Sequence, residues 1–139
     1  MSWLLDTCVI SEPTRPRPSP RVLAWLREQS EESLYVSVLT LGEIRKGAAL
    51  LPAGPKRRSL EKWLEHELPE RFAGRILPVD AAAADLWGRL QAQAENAGHP
   101  LPTLDSLLSA TALAHGLVVA TRNTDDFKAT GAELFNPWE

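Results

Sequence analysis

Short apolar runs alternate with longer stretches of helical periodicity along this chain. Trp3-Leu4-Leu5 is apolar and stops at Asp6, which predicts a buried strand ending at a carboxylate. Prolines at 13, 16, 18 and 20 predict no regular structure until Ser19. Ser19 is placed to cap a helix with Pro20 in its first turn and Val22, Leu23, Trp25 and Leu26 on the buried side, ending near Ser30. Leu34-Tyr35-Val36 predicts a second strand. Leu41, Ile44 and Ala48 then fall at helical spacing in a helix from about Val38 to Leu50, closed by Pro52 and Gly54. Pro55 opens a further helix carrying Leu60, Trp63, Leu64 and Leu68, and the stretch from Arg75 to Val79 predicts a short strand. Asp80 can cap a helix from Ala81 to Ala97, with Leu86, Trp87, Leu90 and Ala94 at its spacing and Gly98 at its end. The next helix runs from about Thr103 to His115 and stops at Gly116. Leu117-Val118-Val119-Ala120 has the β-branched, apolar character of a parallel-sheet interior and terminates at Thr121-Arg122-Asn123. Glu133-Leu134-Phe135 predicts an edge strand.

Strands separated by helices, with no hairpin signals between them, indicate an α/β fold with a largely parallel central sheet and helices on both faces. With no internal repeat or linker, residues 1–139 read as a single domain. In open sheets of this kind ligands bind beyond the carboxyl ends of the strands, where the strand order reverses. Asp6 and Asn123 both fall at such ends.

Composition adds limits. Hydrophobic residues make up 44% and charged residues 24% of the chain, the balance of a globular protein. No apolar run has the length of a membrane span, and Met1-Ser2-Trp3-Leu4-Leu5-Asp6 lacks the pattern of a signal peptide, so a cytoplasmic location is expected, with no membrane contact. The single cysteine, Cys8, has no Cys or His at zinc-ligand spacing and reads as a reduced thiol. His66, His99 and His115 are far apart and read as structural or exposed. A formal charge of −3 argues at first against a polyanionic substrate. Carboxylates gathered around divalent cations remove that objection, and two basic clusters remain: Arg15, Arg17 and Arg21, and Lys56-Arg57-Arg58. A solvated surface accounts for either cluster taken alone.

Acidic residues stand where chemistry can use them in four places: Asp6 after the first strand, Glu43 within the third helix, Asp105 opening a later helix, and Asp125-Asp126 after the Val118-Val119 strand. A carboxylate at a helix start is ordinarily a cap or a partner of the helix dipole, which describes Asp105 and Asp125 equally well. Glu43 lies among Val38, Leu41, Gly42 and Ile44, a poor setting for a purely solvated side chain. Bringing Asp6, Glu43 and Asp105 together leaves three like charges that need cations or protons, and a donor set made only of oxygen suits Mg²⁺ or Mn²⁺. Such a site supports phosphodiester hydrolysis by water, with no covalent intermediate.

The segments Leu4-Leu5-Asp6-Thr7-Cys8-Val9-Ile10-Ser11-Glu12, Ser37-Val38-Leu39-Thr40-Leu41-Gly42-Glu43-Ile44-Arg45-Lys46-Gly47, Leu104-Asp105-Ser106 and Ala120-Thr121-Arg122-Asn123 resemble, in that order, the PIN-domain toxins of the VapC family. Ile10-Ser11-Glu12-Pro13, Phe72-Ala73-Gly74-Arg75-Ile76-Leu77-Pro78 and Phe135-Asn136-Pro137-Trp138 are most similar to its FitB-like branch. The resemblance spans nearly the whole chain. It implies a metal-dependent endoribonuclease, the toxin of a type II toxin–antitoxin pair, leaving 5′-phosphate and 3′-hydroxyl ends. It implies that Asp6, Glu43 and Asp105 bind Mg²⁺ or Mn²⁺, with Thr7 and Thr121 lining the site. The fourth acidic place falls to Asn123, with Asp125 or Asp126 to compensate for its missing charge. Cys8 stands where the family commonly has asparagine. The partners implied are RNA, a second copy of the chain, and a VapB- or FitA-like antitoxin whose C-terminal segment blocks the site and through which alone operator DNA is bound.

A second reading is non-catalytic. With Cys8 and Asn123 departing from the family pattern, the chain is then mainly a scaffold in an antitoxin–DNA complex. Expression of the chain alone separates the two: a nuclease arrests growth and a scaffold does not. An aspartyl-phosphate phosphatase needs a second aspartate two residues after Asp6, where Cys8 stands. Five tryptophans, Trp3, Trp25, Trp63, Trp87 and Trp138, serve either the core or interfaces.

Overall fold

The computed structural model describes residues 1–139. Five parallel strands, β1 (Trp3–Leu5), β2 (Leu34–Ser37), β3 (Ile76–Leu77), β4 (Val118–Ala120) and β5 (Leu134–Phe135), form one sheet in the order β3-β2-β1-β4-β5. The chain adds β2 and β3 on one side of β1, then crosses to add β4 and β5 on the other. The strand order therefore reverses between β1 and β4, and their carboxyl ends, at Asp6 and Thr121, open onto the crevice this produces.

Alternation along each strand divides the core. Trp3, Leu5, Leu34, Val36, Val118 and Ala120 face one way, toward Val9, Ile10, Ile44, Leu64, Leu68 and Phe72. Leu4, Leu117 and Val119 face the other, toward Leu108, Ala112 and Phe127. Helices α1 (Thr7–Ser11), α2 (Pro20–Glu28), α3 (Val38–Leu50), α4 (Pro55–Lys62) and α5 (Leu68–Arg71) belong to the first layer. Of the others, α7 (Thr103–His115) and α8 (Thr124–Phe127) supply the second layer, and α6 (Ala81–Asn96) packs on α7. The expected α/β architecture holds, with every strand pair parallel.

Two local departures from expectation have physical causes. Regular structure does not wait for Ser19: α1 begins directly after β1 and passes into a 3₁₀ turn, Glu12–Thr14. Asp6 caps α1, and Pro13 sits at the second position of the 3₁₀ turn, within the first turn, where its missing N–H costs nothing. Between α4 and α5 the helix widens to π geometry over Trp63–Glu67, with the Leu68 N–H reaching back to the Trp63 carbonyl. Pro69 follows immediately, and the widened turn relieves the clash its ring would make with the preceding turn.

Candidate nuclease site at the carboxyl end of the sheet

Asp6 is 8% exposed and held on both oxygens. Its Oδ1 accepts from the Thr7 backbone N–H at 2.8 Å, and its Oδ2 accepts from the Thr121 hydroxyl at 2.8 Å. Thr121, fully buried just after β4, also accepts the Asn123 N–H at 3.0 Å, so one hydroxyl joins the ends of two adjacent strands to the turn beyond them. The Thr7 hydroxyl donates to Glu43 Oε1 at 2.8 Å. Thr7 therefore couples Asp6 to an acid 36 positions away, with its N–H on one carboxylate and its hydroxyl on the other.

Glu43 arrives from α3, which starts where β2 ends; the Ser37 hydroxyl accepts the Leu39 N–H at 3.0 Å and fixes that start. Glu43 is exposed, and its Thr7 bond replaces the pocket setting expected from its apolar neighbours. Asp105 lies in the first turn of α7. The neighbouring Ser106 is buried, accepts the Trp87 indole N–H at 2.9 Å and donates to the Thr103 carbonyl, while the Gln91 amide brackets Leu101 through both its N–H and its carbonyl. Helix α6 thus pins the segment that presents Asp105.

Electrostatics shows which acids share one field. Burial first, then the charges of Asp6, Asp126 and Glu43 in that order, push the Asp105 carboxyl above the usual aspartate range. The neighbours Asp125 and Asp126 separate: Asp125 pairs with Lys128 at 2.7 Å, which holds its carboxyl below the usual range, while Asp126 acts on Asp105. Asn123 contributes its backbone N–H to the Thr121 hydroxyl and makes no side-chain cap at the start of α8. Cys8 lies 3.8 Å from Asp6 Oδ2 and from the Thr121 hydroxyl and accepts the Arg122 N–H. Burial and the Asp6 charge push its thiol up, which keeps it neutral.

Asp6, Glu43, Asp105 and Asp126 take part in none of the chain's ion pairs. No three acidic, histidine or cysteine side chains close to the spacing of a ready-made metal cage. Oxygen donors that lack basic partners, three of which act together on Asp105, fit a hard divalent cation.

Sequence reasoning missed three positioning contacts. Glu12, 5% exposed, accepts the Ser19 N–H at 2.8 Å and ties the proline-rich stretch to the end of α1. His115, read as structural or exposed, has a structural partner distant in sequence: its Nε2 lies 2.8 Å from Asp80, at the far end of α7 from Asp105. The third is the Trp87–Ser106 bond. None had a local signal beyond the residue types. Trp3, Trp25 and Phe135 form one aromatic cluster, with ring centroids 5.0–5.3 Å apart, so two of the five tryptophans serve packing.

The family model for the PIN domain matches residues 3–133. The chain is 44% identical over 136 residues to "VapC ribonuclease Y4jK" of Sinorhizobium fredii, covering 98% of this chain and 97% of that protein. It is also 44% identical over 135 residues to "Toxin FitB" of Neisseria gonorrhoeae, covering 97% of each. Its fold superposes with a TM-score of 0.91 on a chain of the structure of FitAB bound to an IR36 DNA fragment, at 42% identity over 99% of this chain and 96% of that one. The strand-end acids, the parallel five-stranded sheet and these full-length similarities lead to one conclusion: the chain belongs to the PIN-domain family, among the VapC and FitB toxins.

Proposed function

We propose that this chain is the endoribonuclease toxin of a type II toxin–antitoxin pair, acting in the cytoplasm on RNA phosphodiester bonds with Mg²⁺ or Mn²⁺. The observation that carries the reading is the convergence on the half-buried Asp105 carboxyl of the charges of Asp6, Asp126 and Glu43, three acids from separate parts of the chain that, after burial, push it up. Asp6, Glu43 and Asp105 would hold the cation, with Asp126 and Asn123 beside them and Thr7 and Thr121 orienting the carboxylates. When bound, it supplies positive charge against the phosphate and favours ionisation of a water molecule. Asp6, fixed at both oxygens, keeps its place without reorganisation. Glu43, solvent-facing and anchored through one oxygen, orients the attacking water and takes its proton. The water oxygen bonds to phosphorus as the P–O3′ bond breaks, and the leaving O3′ takes a proton from solvent, giving 5′-phosphate and 3′-hydroxyl ends. Asp125, committed to Lys128, stays outside this set.

The relatives support the partners. One is named a ribonuclease and one a toxin, and the matching FitAB assembly is bound to DNA. By that likeness this chain is silenced by a FitA- or VapB-like antitoxin and contacts operator DNA through it; self-association into a homodimer is part of the same proposal and rests on the family resemblance of the sequence alone. No helix is long and apolar enough to cross a membrane. Purified chain, freed of antitoxin, should cleave single-stranded RNA in Mg²⁺ or Mn²⁺, stop in EDTA, and lose cleavage on Asp6→Asn with its circular dichroism unchanged. Metal-independent cleavage, or full activity in Asp6→Asn, contradicts the proposal. No cleavage by the wild type supports the scaffold reading.

A further inference from the structure

A cleft of about 570 Å³ lies between the 3₁₀ turn that follows α1, the C-terminal end of α3, and the face of α4 with its π-helical continuation. Lys56, Ser59, Trp63 and Glu67 recur along its wall at three- and four-residue steps, one helical face, and Lys62 flanks them. Thr14 and Leu51 form part of the opposite side.

The cations here divide into two groups. Arg57 and Arg45 are spent on Glu61 and Glu65. Lys56 and Lys62, which line the cleft, are in no ion pair, and Glu67 is the single acid among its lining residues. The start of α4, where Gly54 provides no side-chain cap, adds the positive end of a helix dipole beside Lys56. Two of the elements bordering the cleft lead back to the acids. Helix α1 is capped by Asp6 and is followed by the 3₁₀ turn that ends at Thr14; α3 carries Glu43 and is closed by its C-cap Leu51, about 12 Å further along its axis at the helical rise.

We propose that this cleft is a second RNA subsite. Lys56 and Lys62 hold backbone phosphates of the strand that leaves the acidic cluster, and Trp63 offers its ring to a base. The inference rests on the ribonuclease reading and goes beyond it by assigning substrate contacts to residues remote from the acids. A cationic, aromatic-walled cleft a short span from a phosphodiesterase centre complements a polyanion.

The test compares Asp6→Asn protein, which binds without cutting, with the same protein also carrying Lys56→Ala and Lys62→Ala. The readout is fluorescence anisotropy with a short dye-labelled single-stranded oligoribonucleotide at several salt concentrations. Affinity should fall roughly tenfold, and the slope of log K against log salt should become shallower by about 1.4, from two lost phosphate contacts at ~0.7 each. In the cleaving protein the two lysine substitutions should raise KM and leave kcat within about twofold. Unchanged affinity and slope overturn the subsite and leave the nuclease standing. Unchanged RNA affinity with lost binding of the co-expressed antitoxin assigns the cleft to the protein partner, and also overturns it. Lysine-dependent RNA binding by a wild type that never cleaves keeps the subsite and removes the nuclease reading. No RNA binding by any form removes both.

Discussion

Asp80 and Asp105 stand at the starts of two helices that pack on each other, yet their surroundings drive them in opposite directions. Asp80 caps α6, accepting the Ala83 N–H at 2.9 Å and lying 2.8 Å from His115; the amide first, then the imidazole, hold its carboxyl below the usual range. Asp105 has no amide or base on it and is pushed up by burial and by Asp6, Asp126 and Glu43. One helix, α7, presents both environments, with Asp105 in its first turn and His115 in its last. A helix-start carboxylate met by its own helix's amides is a structural cap; one met by other acids is a place prepared for a cation or a proton.

Removing each acid is the strongest way to break this comparison. Asp105→Asn or Asp6→Asn should cut RNA cleavage by about 10²–10³-fold, the size of effect seen when one electrostatic contact to the reacting centre is lost. Asp80→Asn, at the other end of α7, should leave cleavage within about twofold. Equal losses from Asp80 and Asp105 would erase the distinction. A smaller effect, roughly tenfold in kcat, is expected from Thr7→Val, which frees Glu43, with the thermal midpoint little changed.

Stability sharpens the comparison with reversed sign. In EDTA at neutral pH, Asp105→Asn should raise the midpoint of thermal unfolding by a few degrees, because an unfavourable charge is gone. Asp80→Ala should lower it, because a cap is gone.

The pH dependence follows the same signs. Asp80 is lowered in the fold, so its stabilisation is present above the unfolded aspartate value of about 3.9 and is lost as pH falls through its lower folded value. Asp105 is raised, so without cations the stability it permits is complete below about 3.9 and declines as pH rises through its folded value. Melting curves of wild type, Asp80→Asn and Asp105→Asn in EDTA across acidic pH test both slopes. Parallel curves would show that neither carboxyl differs from an ordinary one.

The parts of this molecule that were legible in its sequence are those set by local pattern. Val38–Leu50 and Thr103–His115 form helices where apolar spacing and Gly116 place them, and β1 and β4 end at Asp6 and Thr121. Strand-end placement was enough to bring Asp6 and Asn123 to one crevice. Contacts across long stretches of chain were not legible. Nothing near Thr7 marks it as the link to Glu43, nor does anything near His115 point to Asp80. Helix α1 was hidden because prolines at 13, 16 and 18 dominate the local propensities, while Asp6, read as a site residue, also serves as its cap. The choice between Asp125 and Asp126 did carry a signal: Lys128 falls three residues after Asp125, a pairing distance on a helical turn.

Anomalous scattering from a crystal soaked in manganese addresses the main claim without intermediaries. A Mn²⁺ peak is expected at the β1–β4 crevice, in direct contact with Asp6 in the place it already holds, with the Asp105 side chain of α7 turned onto it and Glu43 or Asp126 completing the set. A crevice without a peak in fully soaked crystals, or manganese held only at exposed acids such as Asp85 and Glu95, would contradict it.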